Sequence, residues 1–356
     1  MKLLLTGHSG FVGTNLIQAF QADFDLYGLD IARDEGAVNG SEPASRDGIP
    51  PDKKFSWDDL DTLPEVDAVI HLAGKVHDTA NVSDPQEYFN VNLGLTKRIF
   101  DWFLTSQSQT FIFFSSVKAV ADTVPGDALT EESTPAPQTP YGQSKLAAEQ
   151  YITQALSTET QAQPTTRNPQ PTTRNPQPTT RNPQPPTRNP QLFILRPCMI
   201  HGPGNKGNLN LLYKVVQKGL PWPLGAFDNQ RSFVSVDNVA FVVRQLLEKE
   251  INPGTYNLAD DQPLSTNELI RLMAASMGRK PRIWRLPAGL IRVLARTGDL
   301  LRLPLSSERL KKLTESYVVS NTKLKHALGI TNMPVTAEEG MKKTLTSFTS
   351  GHKENN

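Results

Sequence analysis

The chain has 356 residues, a length that allows two domains or one large domain with an elaboration. Its 37 Lys and Arg residues balance 36 Asp and Glu, so the net charge gives no bulk attraction for nucleic acid or an anionic membrane. The one cysteine, Cys198, excludes an internal disulfide and a cysteine-based zinc site. No apolar run approaches the ~20 residues of a membrane span. These two observations predict a soluble, cytoplasmic protein.

The first apolar run, residues 3–5, leads into a turn that contains three glycines. Gly7 permits a tight turn, Gly10 lets backbone N–H groups approach a pyrophosphate, and Gly13 lets the following helix pack closely on the strand. The helix N-terminus adds partial positive charge for the phosphates. This order of strand, glycine turn and helix is typical of a dinucleotide-binding unit.

An acid closes the next apolar run. Residues 26–29 are followed by Asp30, whose carboxylate would accept hydrogen bonds from an adenosine ribose and would repel a 2′-phosphate. The position of Asp30 therefore favours NAD over NADP, although Arg33 leaves NADP open.

Short apolar strands then alternate with longer helical patterns. This alternation predicts an α/β fold with a parallel, doubly wound (Rossmann) sheet. The predicted strands are residues 24–29, 68–72, 110–115 and 192–196, and the predicted helices are residues 13–22, 88–106 and 141–156.

A repeat interrupts this pattern. From residue 165 the heptad Thr-Thr-Arg-Asn-Pro-Gln-Pro occurs three times, and an imperfect fourth copy ends at residue 191. Because the segment is proline-rich and lacks apolar side chains, residues 164–191 are predicted to be a disordered insert loop. The alternative is that its four regularly spaced arginines contact an anionic partner.

The C-terminal part mixes helices with proline-rich turns, which suits a smaller substrate-binding subdomain. We expect the NAD-binding domain to cover residues 1–200 and to include 234–259, with a disordered tail at 349–356. The subdomain would comprise residues 201–233 and 260–348. In the C-terminal part as a whole, helices are predicted at 208–218, 236–250, 265–277 and 286–301, and a strand is predicted at 254–258.

The chemistry-bearing residues follow the strand at 110–115. Ser115 and Ser116 lie at its carboxyl end, where ligands of open α/β sheets bind. Tyr141 and Lys145 are spaced four apart and share one face of a helix. A nearby ammonium would lower the pKa of the tyrosine and make it a usable general base. The alternatives are a solvated helix face and ordinary turn serines.

In these motifs the chain resembles the extended short-chain dehydrogenases/reductases, in their NAD-dependent epimerase/dehydratase branch, and among them the UDP-glucose 4-epimerase-like proteins. The resemblance spans nearly the whole chain apart from the repeat. It is carried by the segments 6–13, 71–74, 92–96, 114–116, 141–145, 195–197, 202–204 and 231–237.

The resemblance implies roles for individual residues. Tyr141 would be the catalytic base and acid, Lys145 would bind the nicotinamide ribose, and Ser116 would contact the sugar oxygen. The cofactor NAD would be bound by Gly7, Gly10, Phe11, Val12, Gly13, Asp30, Asp58, Leu72, Ala73, Gly74, Asn92, Ser115, Tyr141 and Lys145. The substrate would be bound by Ser116, Asn208 and Arg231, with Trp222 either stacking on a base or packing in the interior.

The resemblance also implies an activity. We expect an NAD-dependent C4 epimerase of a nucleotide sugar, with a UDP sugar favoured and a homodimer as the assembly. Dehydration is disfavoured because Val117 and Lys118 stand where sugar 4,6-dehydratases have an acidic pair. Two alternatives stay open: an NAD(P)H-dependent reductase of UDP-4-keto sugars, and a non-catalytic cofactor-sensing protein.

Overall fold

The computed structural model describes residues 1–31, 48–76, 84–124, 126–162, 189–205, 207–301 and 306–350. Arg33, nearly all of the predicted insert and the last six residues of the predicted tail lie outside the described residues. The described parts nevertheless set the borders of both segments. The strand after the insert begins at Gln191, and the last helix continues to Ser350, which is the second residue of the predicted tail.

Strands and helices alternate along the described chain. The strands are β1 (Lys2–Thr6), β2 (Asp25–Asp30), β3 (Lys54–Ser56), β4 (Ala68–His71), β5 (Thr110–Phe114), β6 (Gln191–Pro197), β7 (Met199–His201), β8 (Phe233–Ser235) and β9 (Gly254–Leu258). The α-helices are α1 (Phe11–Phe20), α2 (Pro85–Tyr88), α3 (Gly94–Thr105), α4 (Pro140–Ala162), α5 (Asn208–Gln217), α6 (Val236–Glu248), α7 (Thr266–Ser276), α8 (Ala288–Leu301), α9 (Ser307–Thr314), α10 (Thr322–Leu328) and α11 (Ala337–Ser350).

Seven strands form one parallel sheet in the order β3-β2-β1-β4-β5-β6-β9. The order reverses direction beside β1, because the chain first builds outward to β3 and then crosses back to β4. This is the doubly wound α/β architecture, and the predicted fold class is confirmed. The switch point beside β1 is where such sheets bind ligands, beyond the carboxyl ends of the strands.

Successive side chains of a strand point to opposite faces of the sheet. Helices cover both faces, so both sets of side chains are buried. On one face Leu3, Leu5 and Ile70 join a core with Leu16 and Val239 from α1 and α6. On the other face Leu4, Val69 and Phe111 pack with side chains of α3 and α4, namely Ile99, Phe100, Phe103, Ala148 and Ile152.

The C-terminal helices build two smaller cores beyond the carboxyl edge of the sheet. Side chains of α5, α7 and α11 enclose one of them, around Leu209, Met273 and Met341. In the other, Leu224 packs against Ile291 of α8, together with Ala295 and Leu310. β7 and β8 form a separate two-stranded parallel sheet, and α11 packs against both strands. Nothing in the sequence predicted β7 or β8, because each has only three residues.

Among the helices of the described chain, none has the length and apolar character needed to cross a bilayer.

Candidate active site

The glycine turn closes tightly over the carboxyl end of β1. Gly7 has a φ of +67°, and a Cβ atom built on it would lie 2.8 Å from the backbone nitrogen of Ala73. A Cβ on Gly13 would lie 2.5 Å from the carbonyl oxygen of His8. Gly10 precedes α1, whose first backbone N–H groups have no acceptor within the helix. The turn therefore leaves donors and space where an anion would be held.

This packing makes a prediction about Gly7. Gly7→Ala is expected to lower dinucleotide affinity and to destabilise the fold, because the methyl group would meet the backbone of Ala73. Gly278→Ala is a matched control, since its φ is +66° and no atom lies within 4 Å of a built Cβ. The control should cost only the ~1–2 kcal/mol of the left-handed backbone. Thermal melting and calorimetric titration with NAD measure both effects; equal losses in the two variants would contradict the steric argument.

Asp30 faces the glycine turn. Its Oδ2 accepts hydrogen bonds from the backbone nitrogen of Ser9 at 3.0 Å and from Ser9 Oγ at 2.6 Å. Its Oδ1 accepts from the backbone nitrogen of Ile31 at 2.9 Å. Each carboxylate oxygen has further acceptor capacity, which is what a ribose with two hydroxyl groups requires. Asp58 is exposed on the 3₁₀ turn that follows β3, the strand that pairs with the strand of Asp30.

Ser116, Tyr141 and Lys145 come together beyond the carboxyl end of β5. The side chain of Ser116 lies against the phenol of Tyr141 and lowers its pKa. Lys145 is 5% exposed, and its Nζ donates to the carbonyl oxygen of Phe114 at 3.0 Å. A Cβ atom built on Gly74 would lie 3.1 Å from that ammonium, so a glycine is needed where β4 ends. The three residue types predicted for the chemistry thus line one small region.

The electrostatics differ from the prediction in one respect. Burial raises the pKa of Tyr141, with Ser116 opposing that rise. The predicted lowering by Lys145 is therefore wrong for the protein's own groups. Burial also lowers the pKa of Lys145 to about 8, with Glu149 opposing. The physical reason is that desolvation disfavours both charged forms and is the largest cause for each group.

Asn92 joins the segment after β4 to α4 through hydrogen bonds of its side chain. Its Oδ1 accepts from the backbone nitrogen of Lys75 at 2.7 Å, and its Nδ2 donates to Ser144 Oγ at 2.9 Å. It lies in a five-residue π-helical segment, Phe89–Leu93, between α2 and α3. Such segments occur mostly as single turns and often at functional sites. The predicted continuous helix over 88–106 is interrupted there, and no sequence signal marked the interruption.

A buried ion pair between α4 and β6 lies next to the site. Glu149 lies one turn after Lys145 on α4, and its carboxylate accepts from Arg196 Nε at 2.9 Å and from Arg196 Nη2 at 2.5 Å. Ser115 Oγ donates to the same carboxylate at 2.5 Å. The hydroxyl of Ser115 is therefore engaged by α4, while Ser116 faces Tyr141. The sequence offered a signal for this pair that the prediction missed, namely an arginine inside the apolar strand β6.

His71 is a second group that the sequence analysis did not use. It is fully buried at the end of β4, and burial lowers its pKa to about 3. Its Nδ1 is 2.6 Å from Thr6 Oγ1, and its Nε2 is 2.9 Å from Thr96 Oγ1. The imidazole is neutral and links β1, β4 and α3 beneath the glycine turn.

Arg231 lies in an extended segment held on both sides. Its backbone exchanges hydrogen bonds with Leu264, and its Nε donates to the carbonyl oxygen of Glu315 at 3.2 Å. The neighbouring Tyr317 donates its hydroxyl to the carbonyl oxygen of Ala121 at 2.7 Å. Tyr317 thereby ties the segment of Arg231 to the turn that follows Ser116. Burial lowers the pKa of Arg231, which is not the behaviour of a solvated surface cation.

The two other substrate candidates are placed differently. Asn208 is exposed at the first turn of α5. Trp222 packs against the core of Leu224 and Ile291 and bridges to Ile283, so the packing alternative describes its contacts.

The residues present fit a nicotinamide dinucleotide. The glycine turn leaves a cradle that a Cβ would fill, and Asp30 presents carboxylate oxygens beside it. The buried ammonium of Lys145 lies next to Gly74, beyond the end of β4. Within the described residues, no group of three His, Cys, Asp or Glu side chains is arranged to hold a metal ion.

Comparison with known proteins agrees with this geometry. Residues 3–169 match the NAD dependent epimerase/dehydratase family. Over these residues, just under half of its length, the chain is similar to that family. The glycine turn, the serine at the end of β5 and the Tyr141–Lys145 helix face all lie within the matched residues.

Individual proteins are similar to this one over nearly the full chain. A UDP-glucose 4-epimerase of Vibrio cholerae is 29% identical over 98% of this chain and 95% of that protein. An N-acetyl-alpha-D-glucosaminyl-diphospho-ditrans,octacis-undecaprenol 4-epimerase of Escherichia coli O157:H7 is 27% identical, over 97% and 94%. The crystal structure of a Thermus thermophilus UDP-glucose 4-epimerase in complex with NAD superposes with a TM-score of 0.66 at 22% identity, over 98% and 99%.

Proposed function

We propose that this protein is an NAD-dependent epimerase that inverts C4 of a nucleotide sugar, with a UDP sugar as the substrate class. The observation that carries the proposal is that Ser116 lies against the phenol of Tyr141 at the carboxyl end of β5, where the ammonium of Lys145 is buried. The names of the aligned 4-epimerases support the position of attack and the sugar-nucleotide class. We assign residues 201–233 and 260–348 to substrate binding, with Arg231 and Asn208 holding the diphosphate side of the substrate.

The protein's own groups would handle the proton of the sugar 4-hydroxyl. Tyr141 Oη takes that proton when the hydroxyl is oxidised and returns it when the 4-keto group is reduced. Ser116 holds the same oxygen through its hydroxyl, and Lys145 supplies positive charge beside the phenol. When bound, oxidised NAD supplies a hydride acceptor for C4 and a fixed positive charge near Tyr141.

Inversion requires that the sugar ring present its other face before reduction. Arg231 lies outside the Ser116–Tyr141 pair, in the segment that Tyr317 joins to it. A grip on the diphosphate alone would leave the sugar free to rotate. A guanidinium suits that task because it bonds phosphate in a bidentate manner.

A labelled substrate tests the reaction. With UDP-hexose carrying deuterium at C4, the purified protein is expected to yield the C4 epimer with deuterium retained, without added NADH. Mass spectrometry and sugar NMR measure both features. A reductase of 4-keto sugars would instead consume NADH in proportion to product, and a non-catalytic sensor would yield no product. A panel of UDP-hexoses run in parallel identifies the sugar.

We also propose that the protein acts in the cytoplasm as a homodimer that pairs through α3 and α4. These helices pack on each other, and Tyr151 of α4 donates to Asp101 of α3 at 2.5 Å, which presents them as one rigid face. Analytical ultracentrifugation tests the assembly: a single species of twice the chain mass is expected, and a monomer at all concentrations would contradict it.

A further inference from the structure

One stretch of the chain has a charge that its overall composition conceals. Residues 279–298 contain six Lys or Arg and no Asp or Glu. The rest of the chain therefore has 31 cationic and 36 acidic residues, a net charge of −5 against +6 for this stretch. A concentration of one sign in so short a segment creates a local field that the net charge of +1 does not reveal.

The helix in this stretch has an apolar face that the fold does not cover. α8 buries Ile291 and Ala295 against Leu224. Leu290, Val293 and Leu294 are 49%, 57% and 48% exposed. At about 100° per residue these three form a separate arc of the helix surface. Such a contiguous group of exposed apolar side chains is unusual on a protein surface and indicates an interaction site.

Cations border this exposed arc. Arg292 and Arg296 are exposed and lie four residues apart, so they share one side of α8, next to Val293 on the helical wheel. The helix therefore shows an exposed apolar arc with arginines at its edge, and it follows directly on the basic part of the segment.

The extended residues before α8, 282–285, also carry cationic and aromatic side chains. It pairs with residues 222–224, and its alternate residues point to opposite sides. Arg282 and Trp284 share the outer side, where Trp284 is 55% exposed. Arg285 points to the other side and lines a cavity that contains Asp228 and Glu268.

A basic cavity adjoins this outer side. It has a volume of about 340 Å³ and is lined by Arg279, Lys280 and Arg282 together with apolar Val216, Leu220 and Ile270. Arg279 and Arg282 each donate one hydrogen bond to a backbone carbonyl there, at 2.5 Å to Gln217 and 3.0 Å to Gly219. Their guanidinium groups keep further donors and their charge. Such a cavity suits an anionic head group.

We propose that the basic apolar surface, defined as Arg279, Lys280, Arg282, Trp284, Leu290, Arg292, Val293, Leu294 and Arg296, docks the protein on an anionic lipid membrane. Aliphatic side chains beside arginines, with a tryptophan at the edge, match the interfacial layer of a bilayer, where apolar groups enter the acyl boundary and cations meet lipid phosphates. A nucleic acid would not cover the leucines and valine. A second copy of this surface would bring the same cations together.

The docking surface belongs to the subdomain that we assign to substrate binding. Residues 222–224 connect directly to the segment of Arg231, and they hold the extended stretch through bridges to Ile283 and Arg285. Membrane docking does not depend on the proposed reaction, because vesicle binding needs neither sugar nor dinucleotide. The two proposals can therefore fail separately.

Vesicle sedimentation tests the docking. The full-length protein is expected to sediment with vesicles of phosphatidylglycerol and phosphatidylcholine in equal parts, and not with phosphatidylcholine alone. Arg292→Gln/Arg296→Gln should weaken binding at least about tenfold, because each cation near an anionic surface contributes substantially. Leu290→Ser/Val293→Ser/Leu294→Ser should abolish it. Binding should also fall in about 1 M salt, where the Debye length is about 3 Å.

Matched controls use equivalent residues elsewhere on the surface. Leu211 is 58% exposed on α5, and Lys342 is exposed on α11. Leu211→Ser and Lys342→Gln should sediment like the unaltered protein. If the unaltered protein stays in the supernatant with anionic vesicles, the proposal is overturned. The same holds if the triple serine variant changes the oligomeric state instead, since the surface would then join two copies.

Tryptophan fluorescence gives a readout that does not depend on those variants folding. Trp284 should be quenched by brominated lipid in anionic vesicles, and Trp284→Phe should remove that part of the quenching. The three other tryptophans, Trp57, Trp102 and Trp222, serve as the internal reference. Quenching that is unchanged in Trp284→Phe would contradict contact between this surface and the lipid.

Discussion

Tyr141→Phe is expected to lower kcat by about 10²–10⁴-fold, because the variant loses the hydroxyl that is placed beside Ser116 to move the proton of a substrate hydroxyl. The ring itself is kept, so its edge-to-face contact with Tyr88, at 6.3 Å between centroids, should persist. Folding and dinucleotide binding are therefore expected to stay close to those of the unaltered protein.

Tyr151→Phe is the matched control. Tyr151 is on the same helix, and its hydroxyl bonds to Asp101 of α3, away from Ser116. Turnover of the labelled sugar nucleotide by Tyr151→Phe should match the unaltered protein. Turnover by Tyr141→Phe at the unaltered rate would remove Tyr141 from the role of base, whatever the substrate.

Glu149→Ala is expected to cost about 3–5 kcal/mol in the free energy of unfolding, the typical result of removing one partner of a buried ion pair. The side chains of Glu149 and Arg196 are only 6% and 8% exposed, so the arginine would be left buried without its carboxylate. Ser115 would lose its acceptor as well. Denaturant unfolding measures the change.

Two further variants separate the ion pair from general damage. Glu248→Ala removes the exposed partner of Arg244 at 3.3 Å and should cost only about 0.3–0.5 kcal/mol. Glu149→Leu/Arg196→Leu replaces both charges and should recover much of the loss. A double variant as unstable as Glu149→Ala would show that packing, not charge, is the dominant contribution at this position.

The same carboxylate should set the alkaline limit of activity. Burial lowers the pKa of Lys145 to about 8, and Glu149 acts in the opposite direction. Activity that depends on the ammonium is therefore expected to fall as pH rises through about 8. Glu149→Gln removes the charge that holds the proton on Lys145, so the fall should move to lower pH. A pH profile of kcat that does not move would place the ammonium outside the reaction.

The sequence was sufficient for six of the seven strands of the sheet, all but β3, and for the residue types of the site, for physical reasons. Buried parallel strands leave unbroken apolar runs, as in residues 111–114, and a tight strand-to-helix turn demands glycine at Gly7 and Gly13. The spacing of Tyr141 and Lys145 fixes a shared helix face. These are local constraints, and local constraints are visible in one sequence.

What the sequence did not predict depends on contacts between distant segments. The pKa of Tyr141 follows from its burial in the folded protein, and its direction was predicted wrongly. The π-helical segment around Asn92 exists because its amide bonds to Lys75 and Ser144. The surface on α8 was hidden for another reason, since the net charge of +1 averages a basic stretch with an acidic remainder.

The length of α4 has a practical consequence for engineering this chain. Tyr141 lies in the first turn of α4, while Ala162 ends it roughly 30 Å away at the helical rise of ~1.5 Å per residue. The polypeptide re-enters the sheet at Gln191, on the opposite rim from the chemistry. A fluorescent reporter or an affinity tag inserted between these two points would therefore be tethered at both ends to the rim opposite the chemistry.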